Sequence, residues 1–287
     1  MTTASVGFHC PECLAEARKT ARVTRTIYGG RVRPGVAPSV VTRGLIAVNV
    51  VVFVVASASG ANVLTGSGNS PLFTHLALIP PAVAHGEWWR LFSAAFLHFG
   101  VFHIGFNMFA LWIVGPPLEA ALGRLRFIGL YLLAGVGGSL LSVALGPLDE
   151  TAAGASGAIF GLFAALYIVA RHRNLSTNGI AITIVANLVF TFAVANIDWR
   201  GHVGGLITGA AVTAVIAYAP QGPMRDRLQA AGVVVICVVL AVGGLFAVHR
   251  VNHNCTAAAT RAIAGDQGSF NAAGYCAKYD PGSIPGQ

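Results

Sequence analysis

Charged side chains are scarce in this sequence, and their scarcity decides the class of protein. Asp, Glu, Lys and Arg together make up 10% of the 287 residues, whereas hydrophobic residues make up 55% and the mean hydropathy is +0.70. A soluble globular domain carries about 25% charged residues. The composition therefore excludes an ordinary soluble domain and predicts a polytopic membrane protein. We expect an all-α fold, from the long apolar runs described below.

Acidic residues are fewer than basic ones, 10 against 18, which gives a formal charge of +8. In a soluble chain this excess would favour nucleic acid or another anionic partner. Here the positions of the charges matter more, and we expect no nucleic-acid partner. Seven basic residues precede the first apolar run: Arg18, Lys19, Arg22, Arg25, Arg31, Arg33 and Arg43.

A cleavable signal peptide is not expected, because the first apolar run begins near Gly44, too far along the chain, and is followed by no clear cleavage site. A bilayer core needs about 20 mostly apolar residues per helix. Seven runs qualify, at about 43–60, 91–114, 126–146, 154–171, 179–196, 200–219 and 229–248. With the N-terminus in the cytoplasm, thirteen of the 18 basic residues lie inside, so the positive-inside rule predicts an extracytoplasmic C-terminus in a multi-pass cell-membrane protein.

Cysteine is rare, with five residues in the chain. Cys255 and Cys276 lie in the last segment, which this topology puts outside, where a disulfide persists. We predict that they pair. Cys237 lies within the seventh run and is expected to be a small buried hydrophobe. Cys10 and Cys13 in HCPEC are half of a zinc site, so a remnant of such a module or a truncated start is expected rather than bound metal.

Polar residues inside the predicted spans are candidates for function, since they are costly in lipid. They fall at similar depths in the outer half of the membrane on three runs: His98, His103 and Asn107, then Gly154 and Ser156, then His202. A serine nucleophile needs an adjacent base, and histidine is the usual one. Amide and imidazole N–H groups are suitable donors to an oxyanion. The sequence therefore allows a Ser156–His202 pair assisted by side chains of the second run.

Helix packing is the competing interpretation of the same motifs. Gly157 and Gly161 in GASGAIFG have the GxxxG spacing of close transmembrane helix contacts, and Gly205 and Gly209 repeat it. An α/β-hydrolase turn is excluded, because Ala158 stands where its second glycine belongs and no strand precedes it. From the motifs alone, packing and catalysis both remain open.

Three motifs in linked order resemble those of the rhomboid intramembrane serine proteases. They are AFLHFGVFHIGFNMFALWIVGPPLE (95–119), GASGAIFG (154–161) and GHVGGLITG (201–209). Trp89 and Arg90 in EWWRL, and Glu119, also resemble family positions. The resemblance covers about 43–219 and implies a six-helix bundle followed by an extra C-terminal transmembrane helix.

The resemblance also implies roles for individual residues. Ser156 is then the nucleophile and His202 the base of a dyad without an acidic third member. His103, Asn107 and Gly154 belong to oxyanion stabilisation, and His98 lies near the cavity entrance. Four glycines support close packing of the helices: Gly157, Gly161, Gly205 and Gly209. No cofactor and no metal are implied.

The implied organisation has four parts. Residues 1–42 form a basic cytoplasmic segment with the partial CxxC remnant, 43–219 the catalytic core, 220–248 the seventh transmembrane helix and 249–287 an extracytoplasmic tail. The implied activity is hydrolysis of peptide bonds in or near transmembrane segments of membrane-protein substrates within the lipid bilayer. Water enters through a cavity gated by the first loop and the fifth helix. The sequence defines no oligomeric state.

Two other functions compete with proteolysis. A catalytically silent relative would bind or chaperone transmembrane helices, although all dyad and oxyanion positions are filled here. A transporter or channel would use the intramembrane histidines and Asn107 as a solute path, but no inverted repeat supports it.

Overall fold

The computed structural model describes residues 2–3, 8–12, 16, 25–30, 39–62, 64, 70–194 and 197–279. Two short strands, β1 (Thr2–Thr3) and β2 (Phe8–His9), pair in antiparallel fashion. Everything larger is helical, which confirms the predicted all-α class. The α-helices of the described residues are α1 (Val40–Ala58), α2 (Pro71–Leu76), α3 (Pro80–Ala84), α4 (Arg90–Ser93), α5 (Val101–Leu122), α6 (Arg124–Leu145), α7 (Ser156–His172), α8 (Asn178–Ala193), α9 (Trp199–Tyr218), α10 (Arg225–Ile263) and α11 (Phe270–Tyr279).

Five of these helices are long and apolar enough to cross a membrane: α1, α5, α6, α9 and α10. The apolar helices α7 and α8 are shorter. In chain order these seven helices correspond to the seven predicted runs. Consecutive helices alternate in direction, so that the bundle has a site end, where α7 and α9 begin, and an opposite end, where α6 and α10 begin.

The second predicted run has the wrong limits. The prediction was 91–114, whereas α5 begins at Val101 and ends at Leu122. The chain turns at Gly100, with φ of 97°, between a short 3-10 helix (Ala94–Phe96) and α5. Pro116 and Pro117 were expected to separate two spans but lie inside α5. Transmembrane helices tolerate proline because neighbouring groups satisfy the backbone atoms that it leaves without a partner. Thr42 of α1 packs directly against the adjacent Gly115.

The seventh predicted run also ends in the wrong place. We expected the helix to end at 248 and a tail to follow. Instead α10 ends at Ile263 and has 39 residues in all. The chain then folds back through a short 3-10 helix (Gln267–Ser269) into α11, and a disulfide joins Cys255 of α10 to Cys276 of α11. The predicted disulfide is thus present. Cys237 is exposed on α10 rather than buried as expected, because it lies on a side of the helix that the bundle does not cover.

The opposite end of the bundle is closed by residues 25–30. Tyr28 is 1% exposed, and its carbonyl accepts a hydrogen bond from Gln229 Nε2 at 3.2 Å. Arg25 and Arg126 both bind Asp226, at 2.6 and 2.8 Å. Part of the predicted basic segment 1–42 therefore packs on the start of α10 and ties it to α6. Of the CxxC pair, Cys10 is exposed and Cys13 lies outside the described residues.

Glu119 ties the first span to the core. Its carboxylate is buried in α5 and accepts hydrogen bonds from the backbone N–H groups of Val41 and Thr42, at 3.0 and 2.8 Å, and from the Thr42 hydroxyl at 2.8 Å. The first N–H groups of a helix have no partner within it. A carboxylate there satisfies them and complements the helix dipole, which explains an acidic residue buried inside α5.

Candidate active site

Ser156 and His202 meet at the site end of the bundle, each in the first turn of its helix. Ser156 is the first residue of α7 and His202 the fourth of α9. The Nε2 atom of His202 lies 2.8 Å from the Oγ atom of Ser156, within hydrogen-bond distance. Both side chains are partly buried. This is the arrangement that a nucleophile and its base require.

Glycines bring the two helices close enough for this contact. A Cβ atom on Gly205 would overlap the carbonyl oxygen of Gly157, and one on Gly157 would lie 2.9 Å from the carbonyl oxygen of Gly201. One turn further along, Gly209 is in the same relation to Gly161. The four glycines singled out in the sequence therefore lie in the α7–α9 contact, where the backbones touch directly. Packing and the Ser156–His202 pair are two aspects of one arrangement.

The His202 ring is held on two further sides. Phe160, one turn along α7 from Ser156, stacks on it with ring centroids 4.3 Å apart and planes 14° from parallel. The Oγ1 atom of Thr191, in α8, lies 2.8 Å from His202 Nδ1. Sequence reasoning missed Thr191. Its only signal was a hydroxyl near the end of the fifth apolar run, level with the start of the sixth.

The loop before Ser156 is fixed by backbone contacts with the segment that precedes α5. Leu78 and Ala152 exchange two hydrogen bonds, at 2.9 and 3.0 Å, and the Gly154 N–H donates to the Ala94 carbonyl at 2.9 Å. Gly154 has φ of 141°, and a Cβ atom there would lie 2.8 Å from Cε1 of His103. Position 154 therefore requires glycine both for its backbone conformation and for the close approach of His103.

His103 and Asn107 present donors to the same space from successive turns of α5. The Phe99 N–H donates to His103 Nδ1 at 3.3 Å. A backbone N–H only donates, so Nδ1 is an acceptor and the proton of the neutral ring is on Nε2. The Asn107 amide nitrogen donates to the His103 carbonyl at 2.9 Å, and a second hydrogen remains on that nitrogen. Both side chains line the cavity that contains Ser156.

His98 does not lie where it was expected. The prediction put it near the cavity entrance, but it is 3% exposed, behind His103. The two rings meet edge to face, with centroids 5.1 Å apart. His98 therefore packs against His103 and does not line the cavity.

A cavity of about 1310 Å³ contains the site. Its apolar lining includes several aromatic rings: Phe99, Phe102, Phe106, Phe163 and Phe190. Its volume exceeds that of common small-molecule pockets, which is about 300–1,000 Å³. The cavity is therefore large and mostly apolar, with its polar groups around Ser156 and His202 and along one side.

Charged residues collect at one side of the cavity. Glu150 and Asp198 line it, and both bind Arg200, at 2.8 and 3.5 Å. The Asp198 carboxylate caps α9 by accepting a hydrogen bond from the Arg200 backbone N–H, and it also accepts one from the Ser142 hydroxyl. Burial, and next the charge of Asp198, raise the pKa of Glu150, while Arg200 opposes the rise. This group fixes the start of α9 and hence the position of His202.

The loop that contains α2 to α4 is organised by Arg90. The guanidinium is 2% exposed and donates to the carbonyl oxygens of Thr74 and Ala77, at 2.8 and 2.6 Å, as well as to Glu87 at 2.6 Å. Trp89 donates to the His75 carbonyl at 3.1 Å. The EWWRL motif therefore holds the loop against which the Ser156 segment packs.

Comparison with known proteins adds an independent observation. Residues 85–219 match the family described as Rhomboid domain. The chain is 43% identical over 178 residues to Rhomboid protease GluP of Bacillus subtilis, covering 60% of this chain and 34% of the relative. It is 35% identical over 142 residues to Rhomboid-like protease 1 of Toxoplasma gondii (46% and 48% covered) and 33% identical over 168 residues to RHOMBOID-like protein 5 of Arabidopsis thaliana (56% and 54%). The chain spans about a third to a half of these relatives.

Proposed function

Because this multi-pass membrane protein belongs to the rhomboid family of intramembrane proteases, we propose that it is a serine endopeptidase with a Ser156–His202 dyad. Its substrates are membrane proteins, cut in or next to a transmembrane segment. The observation that carries the proposal is the 2.8 Å distance between His202 Nε2 and Ser156 Oγ. A serine hydroxyl is a weak nucleophile until a neighbouring base accepts its proton.

The reaction has two stages. In the first, the Ser156 hydroxyl proton moves to His202 Nε2 while Oγ bonds to the carbonyl carbon of the scissile peptide. The tetrahedral intermediate then expels the amine, which takes the proton from Nε2, and an acyl-enzyme remains. In the second stage, water gives a proton to Nε2 and attacks the ester, and Ser156 recovers its proton as the new carboxyl product leaves.

The negative oxygen of each intermediate needs donors aimed at it before the reaction. His103 Nε2–H, the second amide hydrogen of Asn107 and the Ser156 backbone N–H are the proposed donors. Gly154 allows His103 to approach, since any side chain at 154 would meet the ring. All three donors are neutral, so no ion is buried in the membrane before the substrate arrives.

The cavity suggests how the substrate binds. A helix buries its carbonyl groups in its own hydrogen bonds, so the cleaved segment must be extended, and helix-breaking residues near the cut favour this. The apolar rings around the site suit the side chains of such a segment. The basic residues favour a cytoplasmic N-terminus in the cell membrane, with the site end of the bundle opening to the outside.

Proteolysis of a single-span test substrate by the purified full chain tests the proposal. We expect Ser156→Ala and His202→Ala each to lower kcat/KM by several orders of magnitude, as in other serine hydrolases. Ser57→Ala is the matched control, since the Ser57 hydroxyl has no hydrogen-bond partner within the described part of the chain. Cleavage that survives both site variants would overturn the dyad.

Labelling by a fluorophosphonate separates an enzyme from a silent helix-binding relative. An activated serine reacts with this probe and an ordinary hydroxyl does not. We expect the unmodified protein to be labelled at Ser156 and the His202→Ala variant to react far more slowly. An unreactive Ser156 in folded protein would favour the binding function.

A further inference from the structure

We propose that Thr191 is a positioning residue that holds His202 in the one neutral tautomer able to accept the Ser156 proton. The inference rests on the proposed function, since the tautomer matters only if His202 is a base. Thr191 lies in α8, outside the motifs that define the dyad. Its Oγ1 atom lies 2.8 Å from His202 Nδ1, on the side of the ring away from Ser156.

The hydrogen bonds of Thr191 define which ring nitrogen carries the proton. Thr191 Oγ1 lies 2.7 Å from the Asn187 carbonyl oxygen, one helical turn earlier. A carbonyl only accepts, so the single hydroxyl hydrogen of Thr191 is donated to it. The same oxygen must then accept from its other neighbour, and His202 donates through Nδ1–H. The lone pair of the neutral ring is consequently on Nε2, the atom that faces Ser156 Oγ.

The opposite tautomer would be inactive. With the proton on Nε2, His202 would donate to Ser156 and have no lone pair for its proton. When Nε2 accepts the Ser156 proton, the ring becomes a cation with two N–H groups, and Nδ1–H still donates to Thr191, now in a charge-assisted bond. No proton passes to Thr191. A neutral oxygen thus performs the orienting role that a carboxylate has in a serine triad.

The burial of Thr191 shows that this contact is specific. Thr191 is 3% exposed, and it is the buried residue of α8. Its neighbours Phe190 and Phe192 are 60% and 61% exposed. A threonine that merely bonds to its own helix, as Thr183 does to the Gly179 carbonyl at 2.9 Å, is exposed on the same helix. Thr191 combines that local bond with a long-range contact to the imidazole.

Substitution by valine removes the hydroxyl and keeps the shape of the side chain. We expect Thr191→Val to lower kcat for the single-span substrate by roughly 10- to 100-fold, with KM unchanged. The loss is smaller than the ~10⁴-fold loss caused by the wrong tautomer in a serine triad. Valine removes the hydrogen-bond partner that selects the active tautomer, but it adds no partner that favours the inactive one. The rate of fluorophosphonate labelling should fall in parallel, and Thr191→Ser should restore both rates.

Thr213→Val is the matched control. Thr213 is fully buried in α9, and its hydroxyl has no hydrogen-bond partner among the described residues. It lies 11 positions from His202, about three helical turns. The Thr213→Val variant should cleave the single-span substrate at the same rate as the unmodified protein. If Thr191→Val cannot be purified folded, Thr191→Ala is measured instead, with the same expectation per folded molecule.

The outcomes separate this inference from the proposed function. A kcat for Thr191→Val equal to that of the unmodified protein would overturn the positioning role and leave the dyad intact. A loss that Thr191→Ser does not repair, or one that appears in KM alone, would also overturn it. If the unmodified protein neither cleaves nor reacts with the fluorophosphonate, the proposed function itself fails.

Discussion

His202 Nε2 and Ser156 Oγ lie 2.8 Å apart although 46 positions separate the two residues in the chain. Two helices whose backbones touch provide this proximity. Ordinary helix pairs are about 8–10 Å apart at their axes, which leaves room for side chains between them. Glycine on both sides removes those side chains, so a short serine and a histidine at the helix starts can meet.

Gly205→Ala tests this relationship. The added methyl would overlap the Gly157 carbonyl oxygen, so α9 must shift away from α7. Overpacking of this kind costs about 1–3 kcal/mol, partly offset by the ~1 kcal/mol better helix propensity of alanine. We expect a lower unfolding midpoint in detergent and at least a tenfold loss of cleavage. Gly243→Ala, with open space around position 243 of α10, should lose neither, and an active, stable Gly205→Ala variant would contradict the contact.

Glu119 provides a second test, on stability alone. Its carboxylate accepts three hydrogen bonds from the first residues of α1. Glu119→Ala leaves buried donors without partners, which costs about 1–3 kcal/mol per group. We expect a lower midpoint of thermal unfolding, with a smaller decrease for Glu119→Gln, which retains one acceptor. Asp149→Asn, at an exposed carboxyl, should not move the midpoint; an equal effect of all three changes would rule out the cap.

Hydropathy predicted which segments become helices, but it misjudged their ends. The apolar run at 91–114 continues through Gly100, where the chain turns, and hydropathy does not report a backbone angle. Pro116 and Pro117 were taken as an interruption because propensity scales describe isolated helices, whereas proline is tolerated within transmembrane helices and both residues lie inside α5. The end of α10 was missed because residues 249–263 are too polar for a span, yet packing and the disulfide keep them helical.

The polar layer of the site was predictable for the residues that the motifs supply. Ser156 and His202 lie at the starts of apolar runs, and His103 and Asn107 lie within the second run, toward the end that the topology puts outside. Thr191 was not predictable, because a threonine near a helix end is common and its contact depends on how α8 is rotated. The Arg200–Glu150 ion pair was equally hidden, since it joins the first turn of α9 to a loop residue 50 positions earlier in the chain.

The Cys255–Cys276 disulfide should stabilise the fold beyond the core. It links residues 21 positions apart, and closing a loop of that length is worth about 3 kcal/mol in the chain-entropy account. We expect Cys255→Ser with Cys276→Ser to lower the unfolding midpoint and to expose α11 to protease. A reductant should have the same effect on the unmodified protein and none on the double variant. Cys237→Ser is the control, and a midpoint insensitive to reductant would contradict a structural role.

Glu150 should make stability depend on pH. Burial and the Asp198 charge raise its pKa above the ordinary value of 4.5, so the folded protein binds this proton more tightly than the unfolded chain. The resulting stabilisation is complete below 4.5 and is lost as the pH rises through the folded-state pKa. The effect is modest because the carboxyl is partly exposed and screened.

Glu150→Gln removes this titration while keeping a neutral side chain of the same shape. We expect its unfolding midpoint to fall less than that of the unmodified protein between about pH 4 and about pH 7. Glutamine can still accept a hydrogen bond from Arg200, and an offset of the midpoint that is the same at every pH does not bear on the test, which depends on the slope of the midpoint against pH. Thermal unfolding in detergent at several pH values measures it. Identical slopes for the two proteins would mean that Glu150 is ionised equally in the folded and unfolded states. Burial beside the cavity would then not raise the pKa of Glu150.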